Sequence, residues 1–183
     1  MTDKKADVAM AMDEGRFGLK TWFRRRLCPV GERPPWIVED RYEWLWLYAA
    51  IEPTSGKSIF LLLPQVDSRC LKLFLDELRK QVSGRIGLVL DGSGSHRSAS
   101  VRWPEGIEPI PLPAYSPELD PVEQVFRQVR AKLSNRIFES LQELEAAIIE
   151  VLREFWQQPQ LIIRLTAYPW WIEGVQQIAS LAP

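Results

Sequence analysis

The feature that most constrains the fold is an uninterrupted apolar run, Ile86–Leu90, which is followed directly by an aspartate. Five consecutive apolar residues are typical of a strand that is covered on both faces, so this segment is predicted to be a central strand. Sheets with two buried faces carry helices on each side. Asp91 leaves the strand at a point where burying a carboxylate is costly unless something binds it.

Other elements are predicted from hydrophobic periodicity and turn residues. Strands are predicted at residues 6–12, 43–51, 58–63 and 107–112. Helices are predicted at residues 67–82, 121–133 and 170–179, with one more beginning at Ser140 and a short one near His96. A hairpin followed by β-α-β units predicts an α/β fold with a mixed sheet of antiparallel and parallel strands flanked by helices. The length of 183 residues, 46% of them hydrophobic, indicates a single domain over residues 1–183.

Three carboxylates stand at the ends of these elements. Asp13 follows the first predicted strand, Asp91 follows the central strand, and Glu123 lies in the first turn of a helix. Acids in such positions bind divalent metal against a phosphodiester, so a metal-dependent polynucleotidyl transferase is the leading hypothesis. Each acid also has an ordinary explanation, because Asp13 suits a turn and Glu123 suits the positive end of the helix dipole. The combination of the three is more specific than any one of them.

Basic residues are segregated along the chain, although the net charge is only −1. A long basic connection contains the run Arg24-Arg25-Arg26, and Arg127 and Arg130 share a helix face with the glutamate at i+4 and i+7. These five arginines are candidates for contacts with DNA phosphates. The alternatives are a solvated loop and helical arginines that pair only with surface acids. The near-neutral total argues against tight DNA binding by this chain alone.

Three segments together resemble a known family. They are residues 12–18 (Met-Asp-Glu-Gly-Arg-Phe-Gly), residues 88–91 with His96 five positions further on, and the proline-rich residues 112–123, which include Tyr-Ser-Pro-Glu-Leu-Asp-Pro-Val-Glu. From about Val8 to Ile178, the chain resembles the catalytic domain of bacterial insertion-sequence transposases, the DDE-type relatives of the mariner superfamily. It departs from the family pattern at Gly92 and Asp120, where asparagine is common, although Asp120 can still cap the following helix.

The resemblance implies a ribonuclease-H-like fold and a catalytic triad of Asp13, Asp91 and Glu123. It also implies that the triad binds two Mg²⁺ or Mn²⁺ ions and supports nicking of a transposon end by water, followed by strand transfer into target DNA. His96 is a candidate for contacting phosphate or orienting Asp91, and a packing role is equally open. Family members carry N-terminal helix-turn-helix modules. The modules are expected to be absent from this chain, either because it is the second reading frame of a split element with a separate helix-turn-helix subunit or because it is a truncated copy.

Two other functions remain open on the sequence. One is a different ribonuclease-H-like nuclease that acts on branched DNA or RNA hybrids, and the other is a non-catalytic remnant that only dimerises or binds DNA. Trp22 and Trp36 are candidates for stacking on bases or for homodimer contacts. Since no signal peptide or run of about 20 apolar residues is present, we expect a cytoplasmic, nucleoid-associated protein without a membrane partner.

Overall fold

The computed structural model describes residues 6–32, 38–91, 101–113 and 116–180. The strands are β1 (Val8–Gly18), β2 (Trp44–Ile51), β3 (Ser58–Leu63), β4 (Ile86–Leu90) and β5 (Ile107–Pro111). The α-helices are α1 (Ser68–Gln81), α2 (Val122–Leu133), α3 (Leu141–Gln157), α4 (Pro159–Thr166) and α5 (Pro169–Ser180), and a 3₁₀ turn spans Pro117–Leu119. In these ranges, no helix has the length and apolar character needed to cross a membrane.

The strands form one mixed sheet in the order β3-β2-β1-β4-β5. β1 pairs antiparallel with β2, and β2 pairs antiparallel with β3, as the predicted hairpin requires. β4 is parallel to both of its neighbours, β1 and β5. Parallel strands need a long connection, and the chain reaches β4 from the hairpin through α1. The predicted mixed sheet flanked by helices is therefore confirmed.

The sheet separates two hydrophobic layers. On one face, α1 packs on Met10 and Met12 of β1, and on the other face α2 and α3 cover Ala11 and Phe17 of the same strand. Side chains alternate between the two faces of a strand, so the odd-numbered residues of β1 face α2. Asp13 therefore lies on the face that α2 covers.

The predicted caps begin two of the helices. The side chain of Asp67 accepts a hydrogen bond from the N–H of Cys70 at 2.7 Å, which starts α1. The hydroxyl of Ser140 accepts from the N–H of Glu143 at 3.2 Å, which starts α3. Glu143 Oε2 in turn accepts from the N–H of Glu139 at 2.7 Å, close to the reciprocal pattern of a capping box.

Two predicted boundaries are wrong. β1 does not end at Met12 but continues to Gly18, because it keeps pairing with β2 and places Asp13 opposite Ala49. Asp13 is therefore inside a strand and does not start a turn. The tail contains two helices where one was predicted, because α4 begins with Pro159, whose fixed φ suits the first turn of a helix.

Gly15 allows α2 to approach β1 closely. A Cβ atom at this position would lie 3.0 Å from Cδ2 of Phe126 on α2 and 3.0 Å from Cε2 of Phe17 on the same strand. Phe126 is fully buried, and its ring makes an edge contact with Phe17 at a centroid distance of 6.1 Å. The absence of a side chain at Gly15 thus sets the distance between the strand that carries Asp13 and the helix that carries Glu123.

We expect Gly15→Ala to destabilise the protein by about 1–3 kcal/mol, the usual effect of overpacking a core. For a chain of this size, that loss lowers the Tm by roughly 2–4 °C per kcal/mol in thermal denaturation. Gly174→Ala is the matched control, because nothing lies within 4 Å of its added Cβ atom. Its replacement in a helix interior should leave stability unchanged or raise it by up to about 1 kcal/mol. Equal Tm values for the Gly15→Ala variant and wild type would contradict the close approach of α2.

Candidate active site

The parallel pairing of β1 with β4 brings Asp13 and Asp91 side by side. Met12 and Leu90 are the last paired residues of this register, and each aspartate is the next residue in its strand direction. Neighbouring strands lie about 4.8 Å apart, so the two aspartates leave the strand pair at the same level. β4 ends here while β1 continues, and accordingly Asp91 is exposed and Asp13 is partly buried.

Glu123 reaches the same region from the first turn of α2. The N–H of Leu112 donates to the carbonyl of Leu90 at 2.8 Å, so the proline-rich segment leaves the sheet beside the end of β4. α2 follows and packs on β1 through Phe126, one turn after the glutamate. Glu123 is near enough to Asp13 for repulsion between the two acids to raise the pKa of the aspartate. The fold thus brings the three predicted acids to one end of the β1–β4 pair.

A fourth carboxylate, Asp120, belongs to the same cluster. Its side chain is buried, with 5% of the residue exposed, and its Oδ1 accepts from the N–H of Val122 at 2.8 Å. Sequence reasoning identifies Asp120 only as a helix cap that replaces the asparagine common in the family. An aspartate at this position adds a negative charge that asparagine lacks, and the position lies only three residues before Glu123. That added charge was the signal in the sequence that Asp120 could belong to the acid cluster.

The crowding of these acids changes their protonation in the metal-free protein. Burial, and then repulsion from Asp120, raises the pKa of Asp13 to about 8, although the N–H of Glu14 donates to its Oδ1 at 2.8 Å and acts in the opposite direction. Burial also raises the pKa of Asp120 to about 7, and repulsion from Glu123 and Asp91 adds to the effect. Within the described part of the chain, no basic side chain forms an ion pair with Asp13 or Asp120.

The chemistry of these donors fits a divalent cation. Carboxylate oxygens are the ligands that Mg²⁺ and Mn²⁺ prefer, and a cation would offset both the burial penalty and the mutual repulsion. The side chains are not gathered into a finished site: among the residues described above, no three His, Cys, Asp or Glu side chains converge closely enough to hold an ion. Glu123 is paired with Arg130, whose Nη1 lies 3.5 Å from its Oε2. The cluster therefore fits the metal in charge and donor type, and its side chains have to rearrange to hold one.

Arg130 lies in a pocket of aromatic rings. Its guanidinium carbon is 4.9 Å from the ring centre of Trp22, 5.5 Å from that of Phe17 and 5.7 Å from that of Phe126. Trp22 and Phe17 are themselves stacked, with centroids 5.8 Å apart. Cations are attracted to ring faces at these distances, so the rings hold the guanidinium in place. The contact between Arg130 and Glu123 confirms that the two residues share a helix face.

Asn135 fastens the basic β1–β2 connection to the end of α2. Its side chain accepts from the N–H of Arg24 at 3.1 Å and donates to the carbonyl of the same residue at 3.0 Å. Its own N–H donates to the carbonyl of Trp22 at 2.8 Å, and Arg26 Nη2 donates to its carbonyl at 2.9 Å. Asn135 has a φ of 59°, a conformation that asparagine adopts more readily than most residues.

The structure locates the predicted DNA-contacting residues in different settings. Arg24, Arg25 and Arg26 are exposed on the connection, and Arg127 is exposed on α2. Arg130 is half-buried against the rings and Glu123. His96 lies outside the described residues, so its predicted role stays a prediction.

This mixed sheet of five strands, with helices packed on both faces, is that of a ribonuclease-H-like domain. Residues 9–145 match the family described as DDE superfamily endonuclease, and the chain belongs to that family. The predicted family is therefore confirmed. A relative from Sinorhizobium fredii (strain NBRC 101917 / NGR234), "Uncharacterized protein y4pE/y4sA", is 31% identical over 130 residues, which cover 69% of this chain and 96% of the relative.

Solved structures of Mos1 share the fold. The "Mos1 transposase paired-end complex with left transposon end" is 19% identical and superposes with a TM-score of 0.67 over 94% of this chain and 54% of the Mos1 chain. The "Mos1 mariner paired end complex with Mn" is 18% identical, with a TM-score of 0.66 over 96% of this chain and 56% of the Mos1 chain. The predicted ribonuclease-H-like fold is confirmed. The chain spans about half the length of the Mos1 chains that it matches.

The raised pKa values predict how the stability of the metal-free protein depends on pH. An aspartate in the unfolded chain titrates near 3.8, whereas folding raises the pKa of Asp13 to about 8 and that of Asp120 to about 7. Between pH 4 and pH 8 the folded state therefore binds more protons than the unfolded state, and the free energy of unfolding falls as pH rises. Denaturation by urea in EDTA across this range measures the slope.

Asp120→Asn should reduce that slope, because it removes one charge and keeps an oxygen that accepts from Val122. At pH 8 the variant should be more stable than wild type by at least about 1 kcal/mol, since one pKa unit corresponds to about 1.4 kcal/mol. The difference should shrink towards pH 4. A variant that is less stable than wild type at pH 8 would contradict the repulsion inferred at this site.

Proposed function

We propose that this chain is the catalytic domain of a transposase, which cleaves DNA and transfers strands by two-metal phosphoryl transfer. Asp13, Asp91 and Glu123 are its metal-binding catalytic residues. The observation that carries the proposal is the β1–β4 register, in which Met12 pairs with Leu90 and the next residue on each strand is an aspartate. Membership of the DDE superfamily endonuclease family supports the same assignment.

The four acids have different roles in the proposed metal site. Two Mg²⁺ or Mn²⁺ ions would activate the attacking water or 3′-hydroxyl and stabilise the leaving oxygen. Asp13 and Asp91 project from a strand pair whose backbones are fixed by hydrogen bonds, so they form the rigid side of the site. Glu123 projects from a helix and adjusts by side-chain rotation. Bound metal would favour the charged forms of Asp13 and Asp120, so each would release its proton more readily in its presence.

DNA contacts are assigned to the exposed arginines. Arg24, Arg25 and Arg26 lie on a connection that Asn135 fastens to α2, the helix that carries Glu123. Arg127, one turn after Glu123, extends the basic surface along the same helix. A phosphate backbone bound by these groups would pass beside the acid cluster. The "Mos1 transposase paired-end complex with left transposon end" includes a transposon end, and similarity of fold supports DNA as the substrate here.

The low net charge suggests that this chain acts with further partners. A net charge of −1 leaves this chain with little electrostatic affinity for DNA, since neutralisation of phosphates supplies most of that affinity. A separate basic subunit with a helix-turn-helix would provide it, and homodimer formation would bring two ends together. A DNA-acting enzyme of this kind works in the bacterial cytoplasm, at the nucleoid.

We expect Asp91→Asn and Glu123→Gln each to lower DNA nicking by more than about 100-fold in Mn²⁺ or Mg²⁺, because changes outside the first ligand shell already lower metal affinity or activity by 10–100-fold. The assay is nicking of a supercoiled plasmid, with EDTA as the blank. Melting curves of both variants control for folding.

Three results separate the proposal from its rivals. Nicking and strand transfer of a cleaved end would support the transposase. Nicking of branched DNA or RNA hybrids without strand transfer would favour another ribonuclease-H-like nuclease. An absence of metal-dependent stabilisation and of Asp91-dependent nicking would favour a non-catalytic remnant.

The salt dependence of DNA binding tests the phosphate contacts. The logarithm of the binding constant falls with the logarithm of salt concentration by about 0.9 for each phosphate neutralised. We expect Arg25→Gln to lower this slope by about 0.9, as measured by fluorescence anisotropy on a duplex. Arg153→Gln is the matched control, because Arg153 is exposed on α3 and outside the proposed contact surface. Equal slopes for wild type and the Arg25→Gln variant would remove Arg25 from the interface.

A further inference from the structure

Arg130 is held in place from three separate parts of the fold. The rings around its guanidinium come from β1 (Phe17), from the β1–β2 connection (Trp22) and from α2 (Phe126). Its Nε is buried and has no hydrogen-bond partner within the described part of the chain. Its side chain is 29% exposed. The guanidinium is thus packed against three rings in addition to its contact with the Glu123 carboxylate.

Glu123 contacts this cation and is also close enough to Asp13 and Asp120 to interact with both electrostatically. Its Oε2 is 3.5 Å from Nη1 of Arg130, and its side chain is 39% exposed, so it has room to rotate. Asp13 and Asp120 both experience repulsion from Glu123. The ion pair with Arg130 therefore holds the carboxylate that a metal ion shared with the aspartates would need as a ligand.

We propose that Arg130 competes with divalent metal for the Glu123 carboxylate, so that metal binding requires Glu123 to exchange the guanidinium for the cation. Arg130 would then be a positioning residue that sets the metal requirement of the site, and not a contact for DNA phosphate. The inference rests on the proposed metal site at Asp13, Asp91 and Glu123. It accounts for two features together. One is the half-buried guanidinium among aromatic rings beside the acids, and the other is the incomplete convergence of the acids.

The decisive measurement is the dissociation constant for Mn²⁺, obtained from the increase of Tm with Mn²⁺ concentration, because a ligand that binds the folded state raises the Tm. Arg130→Met keeps an apolar stem against the rings and removes the charge. We expect it to lower this dissociation constant by about 1.4- to fivefold, the range that corresponds to exposed ion pairs of about 0.2–1 kcal/mol. Arg130→Lys keeps the charge and should stay close to wild type. Arg153→Met, a loss of charge on α3, should also match wild type.

A dissociation constant for Mn²⁺ that is unchanged or higher in Arg130→Met would overturn the proposal. A higher value would mean that the arginine prepares Glu123 for the metal. If wild type itself shows no Mn²⁺-dependent increase in Tm, then the proposed metal site fails. The interaction between Glu123 and Arg130 is then measured in the metal-free protein.

The metal-free test is a double-mutant cycle in urea denaturation. Glu123→Gln and Arg130→Met should each shift the midpoint, and the double variant should shift it by less than the sum of the single shifts. Strictly additive shifts would show that the two side chains do not interact, which would overturn the proposal without reference to metal or DNA.

The salt dependence of DNA binding tests the alternative that Arg130 contacts a DNA phosphate. Arg130→Met should leave the slope at its wild-type value, whereas Arg127→Gln should lower it by about 0.9. A decrease of about 0.9 for Arg130→Met would assign Arg130 to a phosphate contact and would overturn its assignment as the partner of Glu123.

Discussion

The parallel pairing of β1 and β4 is the constraint on which the rest of the site depends. Its register is set by apolar residues on both faces of the two strands, since Met12 and Leu90 belong to the α1 layer whereas Ala11 and Val89 belong to the α2 layer. A slip by one residue would turn each of these side chains to the opposite face. The burial of hydrophobic residues therefore fixes the relative position of two aspartates that lie 78 positions apart in the chain.

The helix that supplies the glutamate is located by packing of the same kind. Phe126 rests on the bare backbone of Gly15, and Phe17 contacts both Phe126 and Arg130. The same aromatic group thus sets the height of α2 above the sheet and holds the cation beside Glu123. Through Trp22, it also connects the site to the basic segment that Asn135 fastens to α2. One small cluster of rings joins the core, the acids and the arginines.

The acid cluster works against the stability of the metal-free fold. Folding brings Asp13 and Asp120 into surroundings that raise their pKa values, so that part of the hydrophobic stabilisation is offset by like charges at one end of the sheet. Functional sites commonly break the local rules that the rest of a chain obeys. In this chain the conflict is avoidable at Asp120, where a neutral asparagine would cap the same helix without adding charge.

The sequence by itself determined the presence of the five strands, most helix boundaries and the family, and it singled out the three acids that are proposed as the site, because these depend on short-range patterns such as an apolar run, a capping residue or a proline-rich segment. It did not determine that β1 continues through Asp13 to Gly18, because the pairing with β2 comes from residues 26 to 36 positions away. Nor did it reveal that Asp120 is buried among the other acids, or that Arg130 is enclosed by rings. Only the tertiary structure decided these points, since burial and electrostatic environment arise from neighbours that are distant in the chain.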